Sequence, residues 1–137
     1  MPRTTSRPLP PGTRGGFPYH GSLKTALAGN NNDLVFTAKR FGKASSGIRV
    51  RYVVSGNNTA LSVSVSGKDI TVNVATDGGG AATSTATQVR TAVNASTSAA
   101  ALVSASNAPG NDGTGVVAAM AYTALSKGGD YVYGTGR

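Results

Sequence analysis

The sequence predicts an α+β fold: a small, mostly antiparallel sheet covered on one face by one helix, with an extended N-terminal arm. Three observations carry this. Residues 47–75 alternate apolar and polar side chains in three runs separated by turn signals. One segment, "TSTATQVRTAVNASTSAAA" at 83–101, places apolar residues at helical spacing. The first 30 residues are punctuated by Pro2, Pro8, Pro10, Pro11 and Pro18 and by several glycines, a composition that favours extended chain over a packed core. The expected division is an arm at 1–30, a compact domain at 31–130 and a short tail at 131–137.

The arm comes first. Arg3, Arg7 and Arg14 make it basic, and Leu9, Phe17, Tyr19, Leu23 and Leu27 are spaced along it. A tail that serves only to solvate has no need of two aromatics and three leucines. An arm that orders on a partner's surface does, so these residues are expected to meet a partner.

"DLVFTAK", 33–39, reads as the first strand, with Leu34, Phe36 and Ala38 on one face. After the loop "RFGKASSG", Ile48, Val50, Tyr52 and Val54 share a face and Arg49 and Arg51 point the other way. Beyond "GNNT", Leu61, Val63 and Val65 alternate with serines. Beyond Gly67-Lys68, Ile70, Val72 and Val74 alternate with polar residues. A two-residue turn at Gly67-Lys68 sets Val65 opposite Ile70, Val63 opposite Val72 and Leu61 opposite Val74. Treating "GNNT" as a hairpin loop sets Val54 opposite Leu61, Tyr52 opposite Val63 and Val50 opposite Val65. Both hairpins gather the large side chains on one face, and a one-residue slip would turn them all outward.

The helix that covers this face is expected at about 84–99, N-capped by Thr83 or Ser84, with Ala86, Val89, Val93 and Ala100 as a narrow stripe. Its many threonines and serines make it a poor helix alone, held by packing. "LVSAS", 102–106, reads as a further strand. "VVAAMAYTAL" is a last apolar segment, strand or short helix. The tail "SKGGDYVYGTGR" has the composition of a contact segment.

Composition narrows function. The chain has no cysteine, tryptophan or glutamate, one histidine and five aspartates. Thiolate metal sites and cysteine nucleophiles are therefore excluded. The aspartates sit beside glycine, asparagine or lysine in turn-like contexts, where they cap local backbone, and no spacing suggests a paired acid and base. No enzyme activity, cofactor or metal is expected. "GTGVVA", 113–118, fits a dinucleotide fingerprint in outline but lacks the following βαβ unit and acidic residue. "GNDGTG" offers one aspartate, short of a calcium loop. No apolar run approaches the ~20 residues that span a bilayer, and the basic N-terminus has no apolar stretch behind it to read as a secretory signal.

The net charge is +8. Residues 1–51 hold nine Lys/Arg against one Asp, whereas residues 52–137 hold four of each. All the excess lies on the arm and the first two strands of the domain. Arg49 and Arg51 on the exposed sheet face, with Lys39, Arg40 and Lys43 nearby in sequence, could form a basic patch that pairs with a partner's carboxylates. Direct nucleic-acid binding is disfavoured, because the arm arginines are dispersed and the sheet lacks aromatic platforms for stacking bases.

From "NNDLVFTAK" through "VSGKDITV", "TATQV" and "LSKGGD", residues 31–130 resemble a small domain that recurs in structural proteins of tailed-bacteriophage virions. "ASSGIRV" departs from that pattern, which has an asparagine before the second strand. The resemblance implies a virion component assembled in the bacterial host cytoplasm, with no membrane partner. One small domain with one arm suits a capsid decoration (cement) protein that binds the major capsid protein shell, as a homo-oligomer on the particle. A tail or head–tail connector component is the alternative, and a basic DNA-binding protein the second.

Overall fold

The computed structural model describes residues 20–41 and 47–126. Among these residues, seven strands and two helices follow in chain order: β1 His20–Lys24, β2 Leu34–Phe41, β3 Arg49–Val53, β4 Ser62–Ser66, β5 Asp69–Asn73, α1 Ala86–Ala95, α2 Thr97–Ala100, β6 Val103–Asn107 and β7 Met120–Ala124. The fold is α+β, as the sequence predicts. The strands form two sheets rather than one: β1-β2-β6 and β4-β5-β3-β7.

The β4–β5 hairpin has the expected register, with Val65 opposite Ile70 and Val63 opposite Val72. Gly67 at φ +62° supplies the positive φ that the first position of a tight two-residue turn requires. The preceding hairpin does not form. β3 lies parallel to β5, Val50 level with Ile70 and Tyr52 level with Val72, and β4 lands on the far side of β5. The cause is the "GNNT" loop, which binds the loop after β5 instead of folding β4 back onto β3. Asn58 N–H donates to the Asp77 carbonyl at 2.9 Å, and Thr59 and Thr76 are joined by backbone and hydroxyl bonds at 2.8–3.1 Å. Alternation fixes which face a residue uses, and both arrangements use the same face. It does not fix which strands are neighbours.

Residues 20–30 are part of the folded body, not of an unpacked arm. β1 pairs antiparallel with β2, and Leu23 and Leu27 pack against the core. The Asp33 carboxylate closes this segment, accepting from the Thr25 hydroxyl and the Leu27 N–H, both at 2.8 Å.

Both sheets contribute to a single core. Leu34, Phe36 and Ala38 of β2 and Val103 of β6 meet Val50, Tyr52, Ile70 and Val72 of the larger sheet, all essentially fully buried. Phe36 meets Tyr52 edge to face at 6.3 Å. One side of the structure is stitched where the Ser126 N–H donates to the Ser22 carbonyl at 2.8 Å and the Ser22 N–H to the Ser126 hydroxyl at 3.0 Å. On the other side α1 packs against both β6 and β4. It buries Ala86, Val89 and Val93, the two valines contributing ~1.5–3 kcal/mol each.

The N-cap of α1 is Thr85, one or two residues later than expected, because Thr85 and Gln88 form a reciprocal capping box. The two preceding helix donors are also met: Ala86 N–H by the Gly115 carbonyl at 2.9 Å and Thr87 N–H by the Gly113 carbonyl at 3.0 Å. The helix stops at Ala95. Ser96 then caps the short α2, which buries Ala99 rather than Ala100. Asn94 at the end of α1 grips the outer edge of β6: its amide donates to the Ala105 carbonyl at 3.0 Å and accepts from the Ala105 N–H at 2.9 Å. The edge of the smaller sheet is thereby covered.

Candidate functional site

The outer face of the four-stranded sheet carries the densest grouping of polar side chains. Parallel pairing sets Arg49 beside Asp69 and Arg51 beside Thr71. Arg49 donates to both Asp69 carboxylate oxygens, through Nε at 2.8 Å and a terminal nitrogen at 2.7 Å. That two-pronged bond, the largest cause, holds the Asp69 carboxyl below the usual range and raises the Arg49 guanidinium above its own. Arg51 Nε donates to the Thr71 hydroxyl at 3.1 Å. Tyr122 of β7 lies under both cations, its ring centre 4.2 Å from the Arg49 guanidinium carbon and 4.5 Å from that of Arg51, and its hydroxyl is 3.3 Å from that of Thr71.

Each contact limits how far these arginines can swing. Arg49 already has a carboxylate. Arg51 has none, and its terminal nitrogens have no hydrogen-bond partner among the described residues. A fork fixed at its root and open at its tip is suited to a carboxylate arriving from outside, since little side-chain freedom remains to be lost. The same arrangement offers little to a nucleobase. Tyr122 is the one aromatic ring on this face among the described strands, and it is already engaged by the two guanidinium groups.

Of the positions expected to bind a partner, Arg49 and Arg51 are brought together by β3. Arg40 is exposed on β2, in the other sheet. Leu23 is half-buried against the protein's own core, so its side chain is not presented as an arm anchor. Arg3, Arg7, Leu9, Arg14, Phe17, Tyr19 and Lys43 lie outside the described residues. Tyr122, Asp69 and Thr71 were not anticipated. Only the adjacency of β3 with β5 and β7 reveals them, and no short-range spacing encodes it.

The four described aspartates are each engaged by neighbours. Asp33 and Asp69 are accounted for above. Asp77 accepts from the N–H groups of Ala81 and Gly79, and Asp112 from the hydroxyl and N–H of Thr114; these bonds hold both carboxyls below the usual range. The glycines of "GTGVVA" turn carbonyls, not N–H groups, toward the start of α1. A phosphate would find those helix donors already occupied. His20 contacts the Ala38 carbonyl through Nδ1. Among the described residues no three His, Cys, Asp or Glu side chains are grouped to hold a metal.

Compared with known proteins, the chain matches no family model, no curated protein and no solved structure.

Proposed function

We propose that this chain is a structural component of a tailed-bacteriophage virion: a decoration protein that attaches to the major capsid protein shell through its N-terminal arm and the arginine face of its larger sheet. One observation carries the reading, the segregation of charge. The excess of positive charge lies entirely within residues 1–51, while the described carboxylates of the body are bound to local donors. A two-sheet body stitched at Ser22–Ser126 and along α1 is a stiff platform. On this reading the arm is the part of the chain that precedes β1.

The chemistry asked of such a protein is recognition. Arg51, with Arg49 beside it, pairs with shell carboxylates, and Arg3, Arg7 and Arg14 extend that pairing along the arm. Leu9, Phe17 and Tyr19 supply apolar contact. Attachment of this kind calls for roughly 1,200–2,000 Å² of total buried surface, and many copies on one lattice add avidity. The test is co-sedimentation with virions stripped of the protein, at two salt concentrations. Wild type should pellet with particles, less so at high salt. The Arg3→Glu/Arg7→Glu/Arg14→Glu variant should stay in the supernatant. Equal pelleting of the two refutes the assignment.

A further inference from the structure

The larger sheet ends on β4, whose outward backbone groups are unpaired among the described residues although α2 and α1 lie against the strand. Its polarity follows from the neighbouring bonds. The Val74 N–H donates to the Val53 carbonyl at 2.9 Å and the Lys68 carbonyl accepts from Arg49 N–H at 3.0 Å. Even-numbered residues of β5 therefore turn their backbone groups toward β3, and odd-numbered ones toward β4. Asp69, Thr71 and Asn73 pair with Ser66, Ser64 and Ser62. That leaves the N–H and C=O groups of Val63 and Val65 pointing away from the sheet, with no hydrogen-bond partner among the described residues. The other edges are engaged: β6 by Asn94, and β1 and β7 at Ser22 and Ser126. No charge or proline guards positions 61–66.

Leu61, at the head of this strand, also lines a groove of about 670 Å³ that runs along α1 past Thr87, Thr91, Ala92 and Ala95. The lining is small-sided and holds no charged residue. An extended peptide laid on β4 would thus meet free backbone groups and, on one face, an apolar slot.

We infer that β4 accepts an added strand from the C-terminal tail of a second copy of this chain, residues 130–134, with Tyr131 and Tyr133 entering the groove. Two segments of the chain lie outside the described residues at its ends, and they differ in fitness for this edge. Residues 1–19 contain five prolines, which cannot donate to a ladder, and arginines that would be buried without a counter-charge. "DYVYG" has no proline, a neutral centre and β-favouring residues. The tail of the same chain is too short. It starts after β7, at the opposite edge of the sheet from β4. Reaching the far side of β4 means crossing four strand spacings, about 19 Å at ~4.8 Å each. Counted from Ser126, which is held against Ser22, ~3.3 Å per residue consumes about six residues and spends Tyr131 and Val132 in transit. A neighbour's tail has no such constraint. Each copy would then give one strand and receive one, a head-to-tail contact that closes into a ring or extends as a filament. This goes beyond attachment to a shell and does not depend on it.

Sedimentation velocity of the full-length protein across concentration tests the idea. Wild type should self-associate reversibly. Val63→Pro removes an outward donor without touching the β4–β5 ladder, and should weaken association on the order of tenfold. Val63→Thr, which keeps the donor, should associate like wild type. Tyr131→Ala/Tyr133→Ala should behave as Val63→Pro does, and a synthetic peptide of residues 127–137 in excess should dissociate wild-type assemblies. Val65→Pro gives the same reading should Val63→Pro fail to fold. Undiminished association of the folded proline variants and the tyrosine variant overturns the inference. So does a wild type that stays monomeric and fails to bind a fluorescently labelled form of the 127–137 peptide. A wild type that self-associates but does not pellet with particles would sink the capsid reading alone.

Discussion

Tyr52 sits between the two sheets with its ring edge-on to Phe36 and its hydroxyl buried without a hydrogen-bond partner among the described residues. An unsatisfied buried hydroxyl costs ~1–3 kcal/mol relative to an apolar group of the same shape. Tyr52→Phe keeps the ring, its 6.3 Å contact and almost all of its volume. It should therefore raise stability by about 1–2 kcal/mol. For a body of this size that corresponds to a Tm increase of roughly 4–10 °C. Urea unfolding followed by circular dichroism gives the free energy, and calorimetry the Tm. A second readout follows from burial, which pushes the Tyr52 phenol well above its ordinary value. With the folded-state value raised, the folded protein holds its proton where the unfolded chain releases it. Wild type should lose stability as pH rises beyond about 10, the unfolded value, and the variant should lack that part of the loss. A variant less stable than wild type at pH 7 would refute the reasoning, since it would mean that the hydroxyl makes a bond the variant breaks.

Three further substitutions or conditions probe the frame. Asn94→Ala strips the Ala105 N–H and C=O of their partners; it should cost ~1–3 kcal/mol in urea unfolding and, by baring the β6 edge, increase light scattering on heating. A side chain at Gly115 would collide with the Asn30 carbonyl. Gly115→Ala should consequently lose ~1–3 kcal/mol, seen as a lower urea midpoint. Asp69, Asp77 and Asp112 are all held below the usual carboxylate range, first by Arg49, the Ala81 N–H and the Thr114 hydroxyl respectively. Their contribution is present in full above the unfolded value near pH 4 and is lost as pH falls through the lowered folded values. Thermal scans should show Tm falling with acidification below about pH 4, and less steeply in Asp77→Asn.

What the sequence made legible depended on range. The β4–β5 hairpin could be read because its turn is two residues long and both strands alternate strictly, so one register satisfies every apolar residue. The Ala86, Val89 and Val93 stripe was legible for the same reason, a local period matching a local structure. Strand order was not. Val50 and Tyr52 reach the core equally well beside β4 or beside β5, and the choice is made by Asn58, Thr59 and Thr76, whose bonds join two loops. β1 escaped notice because "HGSLK" has one large apolar residue. Its place is fixed by Asp33, a single carboxylate acting on Thr25 and Leu27. At the arginine face the exposure of Arg49 and Arg51 was visible from alternation. Their common partner Tyr122 lies more than seventy residues further along the chain and meets them only because β7 pairs with β3. The groove beside Leu61 likewise needs α1 and β4 in place before it exists.

On the proposed reading the body presents the arginine face of its larger sheet, and stable attachment also requires the arm that precedes it. Pelleting of stripped virions with the 20–137 fragment measures this most directly. A fragment that keeps the circular dichroism and melting profile of the whole protein yet remains in the supernatant is the predicted result. A folded fragment that still pellets with particles as the intact chain does would contradict it.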